Sequence, residues 1–192
     1  MLRQIRHINS KVKIGNWSNL LDCEINFLDL SHILIHHREK RELIRTFINK
    51  IVGEMSIQNL ENIISMETTE SPSNFESKIE SLVKEIENFH KEKPDKIKFI
   101  YIEGLDDVIA NFKTTRKSKI IKNLKHILWY GRRAGIIIIG TINMDNWKKF
   151  NLVLGVSFPC KMFISQKEGN EINIMLDAAQ GHREIYLDYK IV

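Results

Sequence analysis

The sequence predicts an α/β fold, a mainly parallel sheet with helices on both faces and small antiparallel edge strands. Three observations predict it. Short apolar runs alternate with helical stripes along the chain, the pattern of strand–helix–strand crossovers. The run from Ile136 to Ile139, bracketed by Gly135 and Gly140, is apolar on both faces, as a central strand must be. The stretches Lys11 to Trp17 and Cys23 to Leu28 instead alternate apolar and polar residues, as half-buried antiparallel strands do.

Length and composition agree. The chain has 192 residues, 43% hydrophobic and 28% charged, with a formal net charge of +5. A domain of this size buries about 70% of its unfolded surface without disulfide staples, and the composition excludes collagen-like, fibrous and disordered classes. One domain spanning residues 1–192 is expected. No apolar run approaches the roughly 20 residues of a membrane span, and the amino terminus shows no signal-peptide core, so a cytosolic protein is expected. Cys23 and Cys160 are solitary, without metal-ligand spacing, and read as reduced thiols ahead of a nucleophile. His36 and His37 are strand neighbours that point to opposite faces and cannot share a metal, so none is expected.

In order, His32 to Ile35 reads as a short buried strand followed by a charged helix start. Leu43, Ile44, Phe47, Ile48 and Ile51 form its helical stripe, closed by Gly53. Asn62 to Met66 is a weaker strand, and Glu67 to Asn74 reads as a polar surface connection. Phe75, Ile79, Leu82, Val83, Ile86 and Phe89 mark an amphipathic helix, with Pro94 past its end. Lys96 to Ile102 is a strong strand that stops at Glu103-Gly104. Ile120, Leu124, Ile127 and Leu128 set a second long helix, with Gly131 or Gly135 as its stop. Lys161 to Ser165 reads as a strand, Glu171 to Ala178 as a short helix and Glu184 to Asp188 as a closing strand. Trp17, Trp129 and Trp147 read as core or interface aromatics.

Ligands of open parallel sheets bind beyond the carboxyl ends of the strands, here after Ile35, Ile102 and Ile139. Glu103, Asp106 and Asp107 read first as cap and dipole partners of the next helix, ahead of a metal or acid–base cluster. Lys40 and Arg41 read as solvated charges ahead of an anion site. No acidic residue lies between Asp107 and Asp145, where Lys113, Arg116, Lys117, Lys119, Lys122, Lys125, Arg132 and Arg133 accumulate. This basic stretch reads as an exposed helix face or a subunit contact, with Lys119, Lys122, Arg132 and Arg133 as interface candidates. No aromatics interleave with the charges as a single-strand groove would need, so nucleic acid is not the expected partner.

Taken together, His32 to Ile35, Phe99 to Leu105 and above all Gly131 to Thr141 resemble the motor core of FtsK/SpoIIIE-type ATPases. The opening Val12 to Gly15 with Phe27 to His32 is most similar to modules of type VII secretion coupling ATPases (the EssC/EccC family). The resemblance covers most of the chain from about Val12 and implies a RecA-like, P-loop NTPase-type fold. It also implies a module excised from a multidomain chain on the cytosolic face of a membrane-anchored secretion machine, touching membrane only through its parent. Its implied partners are adjacent ATPase domains of that chain and small helical WXG-type substrates.

The departures from the family pattern bear on activity. A phosphate loop needs glycines whose N–H groups wrap phosphate, a lysine and a Ser/Thr hydroxyl for Mg²⁺. The matching stretch here, His36, His37, Arg38, Glu39, Lys40 and Arg41, has neither glycine nor hydroxyl. The Walker B pair, Asp then Glu in the family, is Glu103 and Gly104. At the sensor strand Thr141 and Asn143 remain, but Ile142 replaces the usual amide. Phosphoryl transfer rests on positioned charge and metal, so the expectation is a pseudo-ATPase without catalytic residues, ATP or Mg²⁺, acting in substrate recognition or regulation of its neighbours. Two alternatives stay open: a DNA-binding translocase component, and a working NTPase using Lys40 and Glu103.

Overall fold

The computed structural model describes residues 11–17, 21–26, 31–38, 42–49, 63–66, 71–89, 97–166, 171–178 and 185–190. Nine strands form one sheet: β1 Lys11–Trp17, β2 Leu21–Asn26, β3 Ile33–His37, β4 Ile63–Met66, β5 Lys98–Ile102, β6 Ile136–Asn143, β7 Cys160–Gln166, β8 Glu171–Ala178 and β9 Ile185–Lys190. The spatial order is β2-β1-β9-β8-β7-β3-β6-β5-β4. The five strands from β7 to β4 pair in parallel. Beyond β7 the pairing turns antiparallel through β8, β9, β1 and β2.

The helical residues are α1 (42–49), α2 (Pro72–Asn88), α3 (Leu105–Ala110), α4 (Thr114–Tyr130) and α5 (Trp147–Val153). Strand period 2 sorts the central side chains: Leu34, Ile100, Ile102, Ile136, Ile138 and Ile142 share a core with Phe75, Ile79, Leu82 and Ile86 of α2 and with Ile120, Leu124, Ile127 and Leu128 of α4. The alternate residues Ile33, Ile35, Phe99, Ile137 and Ile139 are buried on the other face, and α1 contributes buried Ile44, Phe47 and Ile48 outside that cluster. Burial on both faces is why these strands read as continuous apolar runs.

Three expectations are corrected. Residues 171–178 are strand β8, not a helix: Ile172, Ile174 and Leu176 are buried while Asn173 is exposed, a period of two. The end of the expected surface connection belongs to α2: Ser71 is its N-cap, accepting the Asn74 N–H, and Pro72 opens the helix. The single helix expected before Gly131 is two, α3 and α4, and α5 carried no sequence expectation. Gly135, at φ 75°, ends the 3₁₀ turn Gly131–Ala134 that follows α4. Ile51, Gly53, Pro94 and residues 67–70 lie outside the described residues.

Candidate functional site

The carboxyl ends of β3, β5 and β6 meet at a cleft of about 220 Å³ lined by His37, Ile44, Tyr101, Glu103, Gly104, Asp106, Asp107, Thr141, Asn143 and Asn146. This is where a parallel sheet of this kind takes its ligand, and the chain has filled it with its own contacts. Glu103, 4% exposed, is the residue directly after β5. Arg45 of α1 grips both of its carboxylate oxygens, Nη2 donating at 2.9 and 3.1 Å and Nε at 3.2 Å. The bidentate fork satisfies a carboxylate that burial would otherwise penalise. Arg45 went unnoticed in the sequence because it lies 58 residues from its partner, on the exposed side of a charged helix.

Gly104 follows in the left-handed region at φ 59°, where a side chain is strained, and its N–H donates to Thr141 Oγ1 at 2.9 Å. The residues after β5 and within β6 are therefore hydrogen-bonded to one another. Asp106 and Asp107 lie in the first turn of α3, as dipole partners would, but no side chain caps that helix end. Asp106 Oδ2 accepts from Asn146 Nδ2 at 2.7 Å and from the Asn143 N–H at 3.4 Å, fastening the turn after β6. Asn143 Oδ1 in turn accepts the Asp145 N–H.

At β3 the strand runs on through His36 and His37, so the two histidines are strand residues and not loop. His37 lines the cleft. His36 points to the other face, 1% exposed, stacked on Phe163 at 4.5 Å and edge-on to Trp147 at 4.3 Å, with no hydrogen bond at either ring nitrogen. Burial first, then the charges of Lys161 and His37, lower its pKa to about 4. In the sequence Arg38, Glu39, Lys40 and Arg41 follow the strand, and the described helical residues are 42–49. Arg38 is exposed and pairs with Asp145 at 3.7 Å; Glu39, Lys40 and Arg41 lie outside the described residues.

The interface candidates lie elsewhere. Lys119 pairs with Glu76 and Glu80 of α2, Lys122 and Arg133 are exposed, and Arg132 is half-buried. Trp129, 66% exposed, is not a core residue, and Trp147 is half-buried. Cys160 is buried, and desolvation, with Asp177 adding, pushes its thiol up to about 12, which leaves it inert. Among the described residues no cluster of three or more His, Cys, Asp or Glu side chains is arranged for a metal ion. No described helix is long and apolar enough to cross a membrane.

The sequence matches no protein-family profile and no curated protein. Solved structures do match. Over 94% of its length the chain superposes on the cytoplasmic domain of the Thermomonospora curvata type VII secretion ATPase EccC, with a TM-score of 0.71 and 10% identity. The chain has the fold of a type VII secretion ATPase module. It is also similar to Thermomonospora curvata EccC (ATPases 2 and 3) in complex with a signal sequence peptide, at TM-score 0.69, 9% identity and 95% coverage. A third relative is the pCW3 conjugation coupling protein TcpA in a monomer form with ATPγS, at TM-score 0.68, 11% identity and 96% coverage. The chain spans 26% of the first of these structures, 41% of the second and 67% of the third. The likeness carries the RecA-like architecture expected from the sequence.

Proposed function

We propose that this chain is an ATPase-fold module that has given up nucleotide chemistry and serves a type VII secretion coupling protein through protein contacts. Its role is to recognise secretion substrates, small helical WXG-type proteins, or to regulate neighbouring ATPase modules of the same chain on the cytosolic face of the machine. The observation that carries the reading is the connection after β3. A phosphate loop of the GxxxxGK[ST] type needs two glycines and a lysine followed by a hydroxyl, whereas the residues that follow His37 in the sequence are Arg, Glu, Lys and Arg. They offer neither the glycine backbone that wraps phosphates nor the hydroxyl that holds Mg²⁺. The other catalytic positions are equally engaged. Arg45 neutralises Glu103, and Thr141 Oγ1 is spent on Gly104. The cleft, at about 220 Å³, falls below the roughly 300–1,000 Å³ of ordinary ligand pockets. The signal-peptide complex of the EccC relative supports recognition by a module of this fold.

The test is a calorimetric titration of the 192-residue chain with Mg·ATP, accompanied by melting curves and phosphate release. No binding heat, no phosphate release and an unmoved Tm are expected. A ligand present at 100-fold over its Kd adds about 2.7 kcal/mol of stability, enough to raise Tm by several degrees, so a flat result is informative. Saturable heat with turnover that Glu103→Gln abolishes replaces this reading with a working NTPase.

A further inference from the structure

The acid-free stretch from Val108 to Met144 supplies the whole of α4 and the turn after it. The buried stripe of α4 is Ile120, Leu124, Ile127 and Leu128. On the opposite side Ser118, Lys122, Lys125 and Trp129 recur at i, i+4, i+7 and i+11, one stripe that is exposed at Ser118, Lys122 and Trp129 and half-buried at Lys125. The α2 carboxylates Glu76 and Glu80 are taken by Lys119. Among the described residues no carboxylate lies within ion-pair distance of Lys122, Lys125 or Arg133. Trp129 stands at the end of the stripe, 66% exposed, with Tyr130 beside it at 45%. An indole on the polar side of a helix contributes nothing to packing α4. The 3₁₀ turn after Tyr130 leads into the amino end of β6, whereas the cleft lies at its carboxyl end. The cleft and the Trp129 end of the stripe thus lie at opposite ends of β6, a strand roughly 25 Å long for eight residues.

We propose that the carboxyl-terminal end of α4 is a docking surface for an acidic segment of a partner protein, whose carboxylates meet Lys122, Lys125 and Arg133 around an apolar side chain laid on Trp129. Charge complementarity selects the sign of the partner: a local run of unneutralised cations with no acid of its own within the stretch. Composition selects its class. Trp, Tyr and Arg at one spot are the residues that concentrate binding energy in protein interfaces. A duplex-binding face makes about six to ten phosphate contacts, more than three free cations provide. A single strand needs successive stacking platforms, and Trp129 stands alone on the stripe. The inference deepens the reading above, in which the module acts through protein contacts. The two fail separately, because nucleotide binding would sink that reading without touching this surface.

The test is selection of random 12-residue displayed peptides on the immobilised 192-residue chain, with counter-selection on the Lys122→Glu/Lys125→Glu/Arg133→Glu variant. Enriched peptides are expected to carry Asp or Glu flanking an aromatic or aliphatic residue. Synthetic copies should bind at least tenfold more weakly to the reversal variant and to Trp129→Ala, and more weakly at higher salt. All these positions lie on the solvent side, so melting curves should match the parent. Should the triple variant melt early, Ser118→Glu adds repulsion on the same stripe alone and is expected to weaken binding severalfold. An empty selection, peptides without acids, affinities untouched by the reversals, or tighter capture of duplex DNA or phosphatidylserine vesicles by the same residues overturns the proposal.

Discussion

Arg45 holds both oxygens of a carboxylate that has almost no contact with water. Arg45→Met strands that charge, and because the guanidinium is itself half exposed the expected loss is about 2 kcal/mol, below the roughly 3–5 kcal/mol of a fully buried pair. Removing both partners as Arg45→Met/Glu103→Leu is expected to recover most of it, since an apolar pair leaves nothing unsatisfied. Urea unfolding of the two variants measures the difference. His32 offers a second residue-scale test. It is 1% exposed, its Nδ1 accepts the Ile138 N–H at 2.9 Å, and burial, with the charge of Arg132 adding, lowers its pKa to about 4. The unfolded chain takes up this proton near pH 6.5 and the folded one only near 4. Stability is therefore full above 6.5 and falls between those values by about 3 kcal/mol, then flattens. His36, lowered to about 4 as well, adds a fall of the same sign in that window, so His32→Asn, which keeps an acceptor and carries no titrating group, is expected to reduce the fall by roughly half rather than abolish it.

At the scale of elements, β3, β5, β6 and the stripes of α2 and α4 were legible because burial on one or two faces leaves a period in the sequence. β8 had the same signal: Ile172, Ile174 and Leu176 alternate with Asn173, Met175 and Asp177, a pattern of two that overrides the helix propensity of Met, Leu and Ala. Ile174→Lys is accordingly expected to unfold the domain or cost several kcal/mol, whereas Asn173→Lys changes its stability by less than about 0.5 kcal/mol; circular dichroism melts separate them. Ser71 and Pro72 looked like turn chemistry because capping residues and turn residues are the same few types. Ser71→Ala is expected to cost about 1 kcal/mol through loss of the Asn74 N–H acceptor.

For the whole molecule, fold and site were legible to different depths. The order of strands and helices, with the Gly131 to Thr141 segment, was enough to expect the architecture that the EccC structures share at about 10% identity. That residues 36–41 carry neither glycine nor hydroxyl is legible in the sequence. The contacts made by the residues of the cleft were not. Nothing local in the chain announces that Arg45 reaches Glu103, that Thr141 holds the Gly104 turn, or that Trp129 faces outward, because each depends on how distant segments meet.

The Trp147 indole lies edge-on to His36, and a protonated imidazole is an efficient quencher of an excited indole. In a Trp17→Phe/Trp129→Phe background the remaining fluorescence should dim as the acidity approaches that ring's titration, near 4. β3 would then carry a built-in optical gauge of its own protonation.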